Sequence, residues 1–276
     1  MVVIAIIASL IGLILPAVQK VRESASRAQC FNNLKQLGLG LAGYETTYQK
    51  YPPFLKPNGF TTVIDGWSAF AHLMPYIEQQ PIDFSKSLVG PNGAYYSPDH
   101  PTVYIPIKLF VCPSDTREGF YTRHPSGWTY SPANYVFCTG PGNNSGKVAN
   151  RPDPQSTTGE LLDTGGVFPW SSQKIKATDV RDGLSTTMFM SECNLGLDKA
   201  MSSPPSKVDV EKEMGVNPIV GKPLDDNTCM QWANGQAGGY RSSIRGYSWT
   251  SAHTAHYQAY YRPNDSRPDC NSNDSY

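Results

Sequence analysis

Histidine, serine and cysteine are the residues from which a hydrolase would be built in this chain. The histidines are His72, His100, His124, His253 and His256. A hydrolase needs a nucleophile, a base and a group that orients the base, and no serine or cysteine motif such as Gly-x-Ser-x-Gly accompanies these histidines. The segment Gly235–Tyr240 lacks the lysine and the following helix that a phosphate-binding loop requires. The sequence therefore predicts no catalytic residue, no enzyme activity and no bound cofactor.

The sequence patterns that could indicate a metal site are also weak. His253 and His256 are three residues apart and would share one face of a helix, but the surrounding tyrosines are more typical of a surface or edge segment. Close aspartates that offer oxygen ligands are Asp179, Asp182, Asp225 and Asp226. Their spacing does not match the twelve-residue calcium loop, and aspartates in such contexts commonly form turns. We expect no metal site.

Six cysteines are spread along the chain without the close Cys-x-x-Cys pairs of zinc or redox sites. This spacing favours disulfides formed in an oxidising compartment, and six buried thiols are the alternative. Proximity in sequence is the main guide among 15 complete pairings. The pairs expected on that basis are Cys112 with Cys138, Cys229 with Cys270, and Cys30 with Cys193.

Composition excludes some partners and favours others. Lys plus Arg and Asp plus Glu both total 23, so no net field attracts nucleic acid, and we expect no nucleic-acid partner. The 24 glycines, 23 prolines and 16 tyrosines are typical of a turn-rich, exported β protein. Asn-x-Ser sequences, which permit glycosylation on exposed loops, begin at Asn143, Asn264 and Asn273.

The N-terminal segment has to position everything that follows. Met1–Leu15 is apolar and uncharged, and as a helix it would measure about 22 Å, short of the roughly 30 Å hydrocarbon core of a bilayer. After Pro16 the sequence continues with apolar residues at helical spacing as far as Tyr44. We expect a hinge between Gly12 and Pro16, because both residues weaken a helix. The small residues suited to close helix packing are Ala5, Ala8, Ser9 and Gly12.

These N-terminal residues resemble the start of a large planctomycete-type family of type IV pilin-like proteins that is defined as a domain of unknown function. The resemblance continues in LFVCPSD at Leu109–Asp115, SPANYVFCTG at Ser131–Gly140 and KATDVRDGLSTTMFMSE at Lys176–Glu192. In that family a prepilin-type cleavage and methylation segment precedes the apolar run, so the resemblance implies that Met1 lies inside the motif. The His-x9-Asp-Gly segment that usually closes the family is not in this sequence.

The resemblance and the residue pattern together predict an α+β fold. We expect residues 1–50 to form a long helix, a membrane anchor and filament core, and residues 51–276 to form a β-rich head with an antiparallel sheet. The head should contain a helix at Ser68–Gln80 and long loops at Pro141–Glu160 and Met201–Asp226. The segments with strand-like composition are TVYIPIKLFVC, NYVFC, GVFPW, TTMFMSE and TCMQWA.

The function implied is structural. The chain would first be held in the inner membrane, where a prepilin peptidase would act on it. The pilus assembly machinery would then polymerise it with copies of itself into an extracellular filament of a bacterium. Two alternatives remain open: a minor pseudopilin of a type II-like secretion apparatus, or a membrane-tethered protein that binds carbohydrate or a surface. Exposed tyrosines would suit the second alternative.

Overall fold

The fold is known from a computed structural model. It describes residues 2–53, 67–84, 105–115, 131–140, 166–168, 175–195, 246 and 248–250, together with six further short strands. Within this part of the chain the elements are one long helix, one short helix, short 3-10 turns and eight short strands. The chain therefore has the predicted α+β fold, with the long helix at its N-terminal end.

Helix α1 runs without interruption from Val2 to Tyr48. Pro16 has no amide hydrogen to donate to the carbonyl of Gly12, yet the helix continues through it in this single subunit. The helix ends where Gln49 takes a left-handed conformation with φ of 56°, while its backbone N–H still bonds to Glu45. Loosening of the Gly12–Pro16 segment on assembly stays a prediction.

Only the C-terminal part of α1 is buried. Its buried residues recur at intervals of three or four, so they form one stripe along the helix. They are Cys30, Asn33, Leu37, Gly40, Leu41 and Tyr44. The apolar residues of this stripe belong to the same hydrophobic core as residues from Tyr51 onward, so residues 30–44 pack against the rest of the described chain. We use "head" for the described residues from Tyr51 onward.

The stripe packs mainly against a helical segment that Pro75 divides in two. Helix α2 covers Ala69–Leu73, and a 3-10 turn follows at Met74–Ile77. The sequence predicts a single helix over Ser68–Gln80, which is wrong at its C-terminal end. Pro75 lacks the N–H needed for an α-helical bond, and Glu78, with φ of 59°, ends the segment in the left-handed region.

The strands form three small sheets. Their bounds are Thr122–Arg123 (β1), Thr129–Tyr130 (β2), Tyr135–Cys138 (β3), Met190–Glu192 (β4), Met214–Val216 (β5), Tyr240–Ser242 (β6), His256–Tyr257 (β7) and Cys270–Asn271 (β8). The sheets have the orders β1-β2, β4-β3-β7 and β6-β5-β8. Antiparallel pairs occur in all three, but β7 runs parallel to β3 and β8 runs parallel to β5. These parallel pairs were not predicted.

Other strand predictions had mixed outcomes. NYVFC and TTMFMSE contain β3 and β4 as predicted, and β3 is buried along its whole length. The run before Cys112 instead contains a 3-10 turn at Lys108–Phe110, and residues 166–168 form a bend. Strand β5 lies inside the predicted loop Met201–Asp226. TCMQWA and the predicted loop Pro141–Glu160 lie outside the described residues.

Aromatic side chains fill the centre of the head. Phe70 from α2 lies with its ring 4.6 Å from that of Phe110 and 4.5 Å from that of Phe137 in β3. Trp249 is fully buried beside them, and its indole N–H donates to the carbonyl of Ile105 at 3.0 Å. Rings of this size bury much apolar area per residue, so a head with short strands still has a dense core.

Candidate functional site: the exposed apolar helix and its junction with the head

The N-terminal half of α1 is apolar and uncovered. Every residue from Val2 to Leu15 is exposed, including Leu13, whose exposed fraction is 72%. Within the described residues α1 is the one helix long and apolar enough to cross a bilayer, and its apolar part is not buried. Membrane anchors and signal sequences share this length and composition, whereas the apolar helix of a soluble core is buried.

The small residues predicted to form the packing surface lie on one side of this exposed helix. From Ala5 they occur at intervals of three, four and seven residues, which places them along a single face of an α-helix. They are Ala5, Ala8, Ser9 and Gly12, and all are exposed, as is Pro16 of the predicted hinge. Their role in helix packing stays a prediction.

The head is joined covalently to α1 where the buried stripe begins. Cys30 forms a disulfide with Cys112, across 82 residues of sequence, and both sulfurs are buried. The predicted pairs Cys112 with Cys138 and Cys30 with Cys193 are therefore wrong. The prediction chose partners by their distance along the chain. In the structure, the packing of α1 against the head places Cys30 beside Cys112.

Hydrogen bonds surround this disulfide. The side-chain amide of Asn33 donates to the carbonyl of Val111 at 3.1 Å, and the hydroxyl of Tyr135 donates to the carbonyl of Cys30 at 3.1 Å. The Ser114 hydroxyl lies 3.6 Å from Cys30 Sγ. Burial is the main cause that raises the pKa of Tyr135 to about 12, so the hydroxyl keeps its proton at neutral pH. We call Cys30, Asn33, Cys112 and Tyr135 the helix–head junction.

Asn134 connects the junction to the end of β4. Its side-chain oxygen accepts the backbone N–H of Cys112 at 2.9 Å, and its Nδ2 donates to Asp115 Oδ2 and to the carbonyl of Cys193. Asp115 Oδ2 also accepts the N–H of Leu195 at 3.0 Å. Asn134 is almost fully buried, and its amide group satisfies polar atoms of two segments, one containing Cys112 and Asp115 and the other Cys193.

A carboxylate lies beside the disulfide. An oxygen of Glu192 lies within 4.8 Å of the sulfurs of Cys30 and Cys112. The pKa of Glu192 is raised above its ordinary value by partial burial and, to a smaller extent, by the negative charge of Asp115. With both sulfurs in a disulfide rather than present as thiolates, these three residues do not have the donor set of a zinc site.

Tyr44 ends the buried stripe of α1 in a cluster of rings. Its ring lies 4.5 Å from that of Tyr48 and 5.7 Å from that of Tyr76. Burial is the main cause that raises the pKa of Tyr44 to about 12. His72 lies nearby, half-buried and stacked on Phe84 with ring centroids 4.5 Å apart, so its ring packs at the edge of the core.

The remaining predicted residues have varied outcomes. The carboxylate of Asp179 accepts the backbone N–H of Lys176 at 2.9 Å, and the carbonyl of Asp182 accepts the hydroxyl of Thr186, so both aspartates stabilise turns. Strand residues His256 and Cys270 are described by their backbone alone. Residues outside the described part of the chain are His100, His124, Asn143, Asp225, Asp226, Cys229, His253, Asn264 and Asn273.

Two residues of the junction region were missed by the sequence reasoning. Asn33 carries a usable signal, because it is a polar residue within the apolar stripe of an amphipathic helix, and such residues need a buried hydrogen-bond partner. Asn134 carries no comparable signal, because its three partners come from segments far apart in sequence.

The chain was compared with known proteins. The family model SBP_bac_10, described as "Protein of unknown function (DUF1559)", matches residues 19–275, which is nearly the whole sequence. Comparison with curated proteins and with solved structures gives no match. The match begins after the apolar run and includes the disulfide, Asn134, Tyr135 and Glu192. This chain therefore belongs to the family of proteins of unknown function (DUF1559).

Proposed function

We propose that this protein is the structural subunit of a type IV pilus-like filament. The observation that supports the proposal is the exposed apolar half of α1, which projects from a head that does not cover it. Left in water, such a surface would drive association, so it needs either a bilayer or other apolar helices around it. A bilayer holds the subunit first, and neighbouring copies of α1 then replace the lipid.

The same helix is compatible with both environments, the bilayer and a bundle of neighbouring helices. Within lipid, α1 pairs its own backbone groups except for the N–H groups of its first turn and the carbonyl of Gly12, to which Pro16 offers no N–H. In a helix bundle, the small residues from Ala5 to Gly12 allow close backbone approach. Repetition of one head-to-tail contact with a rotation that does not close produces a helical filament. The partners are other copies, the inner membrane, a prepilin peptidase and the assembly machinery, and the final location is the cell surface.

The test compares the unmodified chain, a truncated chain and a point variant, each expressed in a bacterium that assembles the filaments. Surface filaments are sheared off, imaged by electron microscopy and identified by mass spectrometry. The unmodified chain should be the main component of the filaments, whereas a chain lacking residues 1–20 should be soluble and absent from them. Filaments formed by the truncated chain would refute the proposal.

The third form, Ala8→Leu, separates anchoring from packing. The added side chain keeps the segment apolar, so insertion into the membrane should be unchanged, but it removes a small residue from the packing face. We expect membrane-bound protein and few filaments. A subunit found at a few copies per filament would instead be a minor pseudopilin. A chain that stays in the membrane without any filament would be a tethered binding protein.

A further inference from the structure

The contact between α1 and the head has two parts of different chemistry. The part nearer the N-terminus contains Cys30 and Asn33, and the disulfide and two hydrogen bonds hold it. The later part contains Leu37, Leu41 and Tyr44, which are buried in the hydrophobic core. Leu34, between the two parts, is only partly buried against that core. Covalent and polar links thus secure the first turn of contact, from Cys30 to Asn33, and apolar packing secures the two turns from Leu37 to Tyr44.

The two parts respond differently to loss of the disulfide. The amide of Asn33 and the hydroxyl of Tyr135 exchange their carbonyl partners for water at little net cost when the helix lifts away. The side chain of Leu37 has no such substitute, because lifting it would expose apolar surface to water. Before Cys30, α1 has no buried residue among those that the structure describes: residues 2–29 are exposed apart from the half-buried Ser26.

We propose that the Cys30–Cys112 disulfide sets the point at which α1 leaves the head, and that reducing it moves this point to Leu37. A dithiol supplies two electrons and two protons, so the S–S bond breaks, two thiols form, and the dithiol becomes a cyclic disulfide. The pivot then shifts by seven residues, or about 10 Å along the helix. In the oxidised protein the part of α1 before Leu37 has a fixed orientation relative to the head, and in the reduced protein this part does not, while Leu37, Leu41 and Tyr44 stay packed. This device does not depend on the proposed filament.

Distance measurements between spin labels test the proposal. Keto amino acids at Ser24, before the junction, and Thr178, an exposed head residue, carry nitroxides without using cysteine. The full chain in detergent is measured by pulsed electron paramagnetic resonance before and after treatment with dithiothreitol. The length of α1 between Ser24 and the first residue fixed on the head grows from about 9 Å, with Cys30 fixed, to about 20 Å, with Leu37 fixed. The distribution of the Ser24–Thr178 distance should therefore widen at least about twofold.

A second label pair serves as the matched control. Thr46 lies on the exposed side of α1 beyond the apolar contact, and its distance to Thr178 should keep its width after reduction. The double variant C30S/C112S should reproduce the wide Ser24 distribution without reductant, while its other cysteines remain. If this variant does not fold, the reduction of the unmodified chain decides the question.

Two results would overturn the proposal. An unchanged Ser24 distribution after reduction, verified by mass spectrometry of the alkylated thiols, would mean that the polar contacts alone hold the junction. Equal widening of the Ser24 and Thr46 distributions would mean that the disulfide holds the whole helix on the head. Widening restricted to Ser24 supports the proposal.

Discussion

Asn134 Nδ2 donates a hydrogen bond of 2.6 Å to Asp115 Oδ2, and this bond joins two different segments of the chain. Asp115 lies three residues after the disulfide at Cys112, and Asn134 immediately precedes β3. The backbone N–H of Asn134 also bonds to Phe110, and its carbonyl accepts the N–H of Cys193. The backbone and the buried side chain of Asn134 therefore both link the segment of the disulfide to β3 and to Cys193.

Replacement of this amide should be costly. Asn134→Ala removes the buried acceptor of the Cys112 N–H, whereas the carbonyl of Cys193 and the carboxylate of Asp115 are partly exposed and can bond to water instead. One unsatisfied buried group costs about 1–3 kcal/mol, so we expect a loss of about 2 kcal/mol in the free energy of unfolding. Denaturation of the full chain in detergent, followed by tryptophan fluorescence, measures it. Asn32→Ala, on the exposed side of α1, should change stability by less than about 0.5 kcal/mol.

Glu192 should make the stability of the head depend on pH. Its pKa is raised from 4.5 in the folded chain by partial burial and by Asp115, so the folded state binds the proton more tightly than the unfolded state. Its contribution to the free energy of unfolding is therefore lost as the pH rises above 4.5 and through the raised pKa. We expect Glu192→Gln to raise the melting temperature near pH 7.

The acidic end of the pH range provides the control for that variant. Below the ordinary pKa of 4.5, glutamate is protonated in both states and resembles glutamine, so the two melting temperatures should converge. A melting temperature for Glu192→Gln that is lower than that of the unmodified chain near pH 7 would contradict the assignment. It would show that the charged carboxylate contributes a favourable interaction that outweighs its burial.

The sequence predicted those parts of the fold that depend on local spacing. Helix α1 and the position of β3 and β4 follow from periodic apolar residues and from β-branched or aromatic runs. The disulfide was mispaired because its partner was chosen by distance along the chain, whereas Cys112 reaches Cys30 through the packing of α1 on the head. The 3-10 turn at Lys108–Phe110 was missed for a similar reason, since an apolar run fits a buried turn as well as a strand.

Leu37 and Leu39 provide a matched pair on one helix. Leu37 is fully buried against the head, whereas Leu39 is 64% exposed. Both leucine-to-alanine changes remove the same atoms and have the same effect on helix propensity, so the difference reports tertiary packing alone. We expect Leu37→Ala to cost about 3 kcal/mol of unfolding free energy through the cavity it leaves, and Leu39→Ala to cost less than about 0.5 kcal/mol.

A reversed or equal result for these leucines would mean that a different face of α1 packs on the head. The measurement again uses denaturation of the full chain in detergent. The same two variants also bear on assembly, because a filament that covers the outer side of α1 would lose subunits with Leu39→Ala while the isolated subunit keeps its stability.

Gly40 and Gly38 should respond in opposite ways to alanine. A Cβ at Gly40 would lie 3.0 Å from Ile77 Cγ2 and 3.8 Å from Tyr76 Cβ, and both neighbours have little freedom to move. A Cβ at Gly38 would meet nothing within 4 Å. Alanine gains about 1 kcal/mol over glycine inside a helix, while overpacking costs about 1–3 kcal/mol. Gly38→Ala should therefore stabilise the chain by about 1 kcal/mol, whereas Gly40→Ala should be neutral or destabilise it by up to about 2 kcal/mol. Equal stabilisation by both variants, measured by denaturation, would show that α1 does not approach the Met74–Ile77 turn this closely.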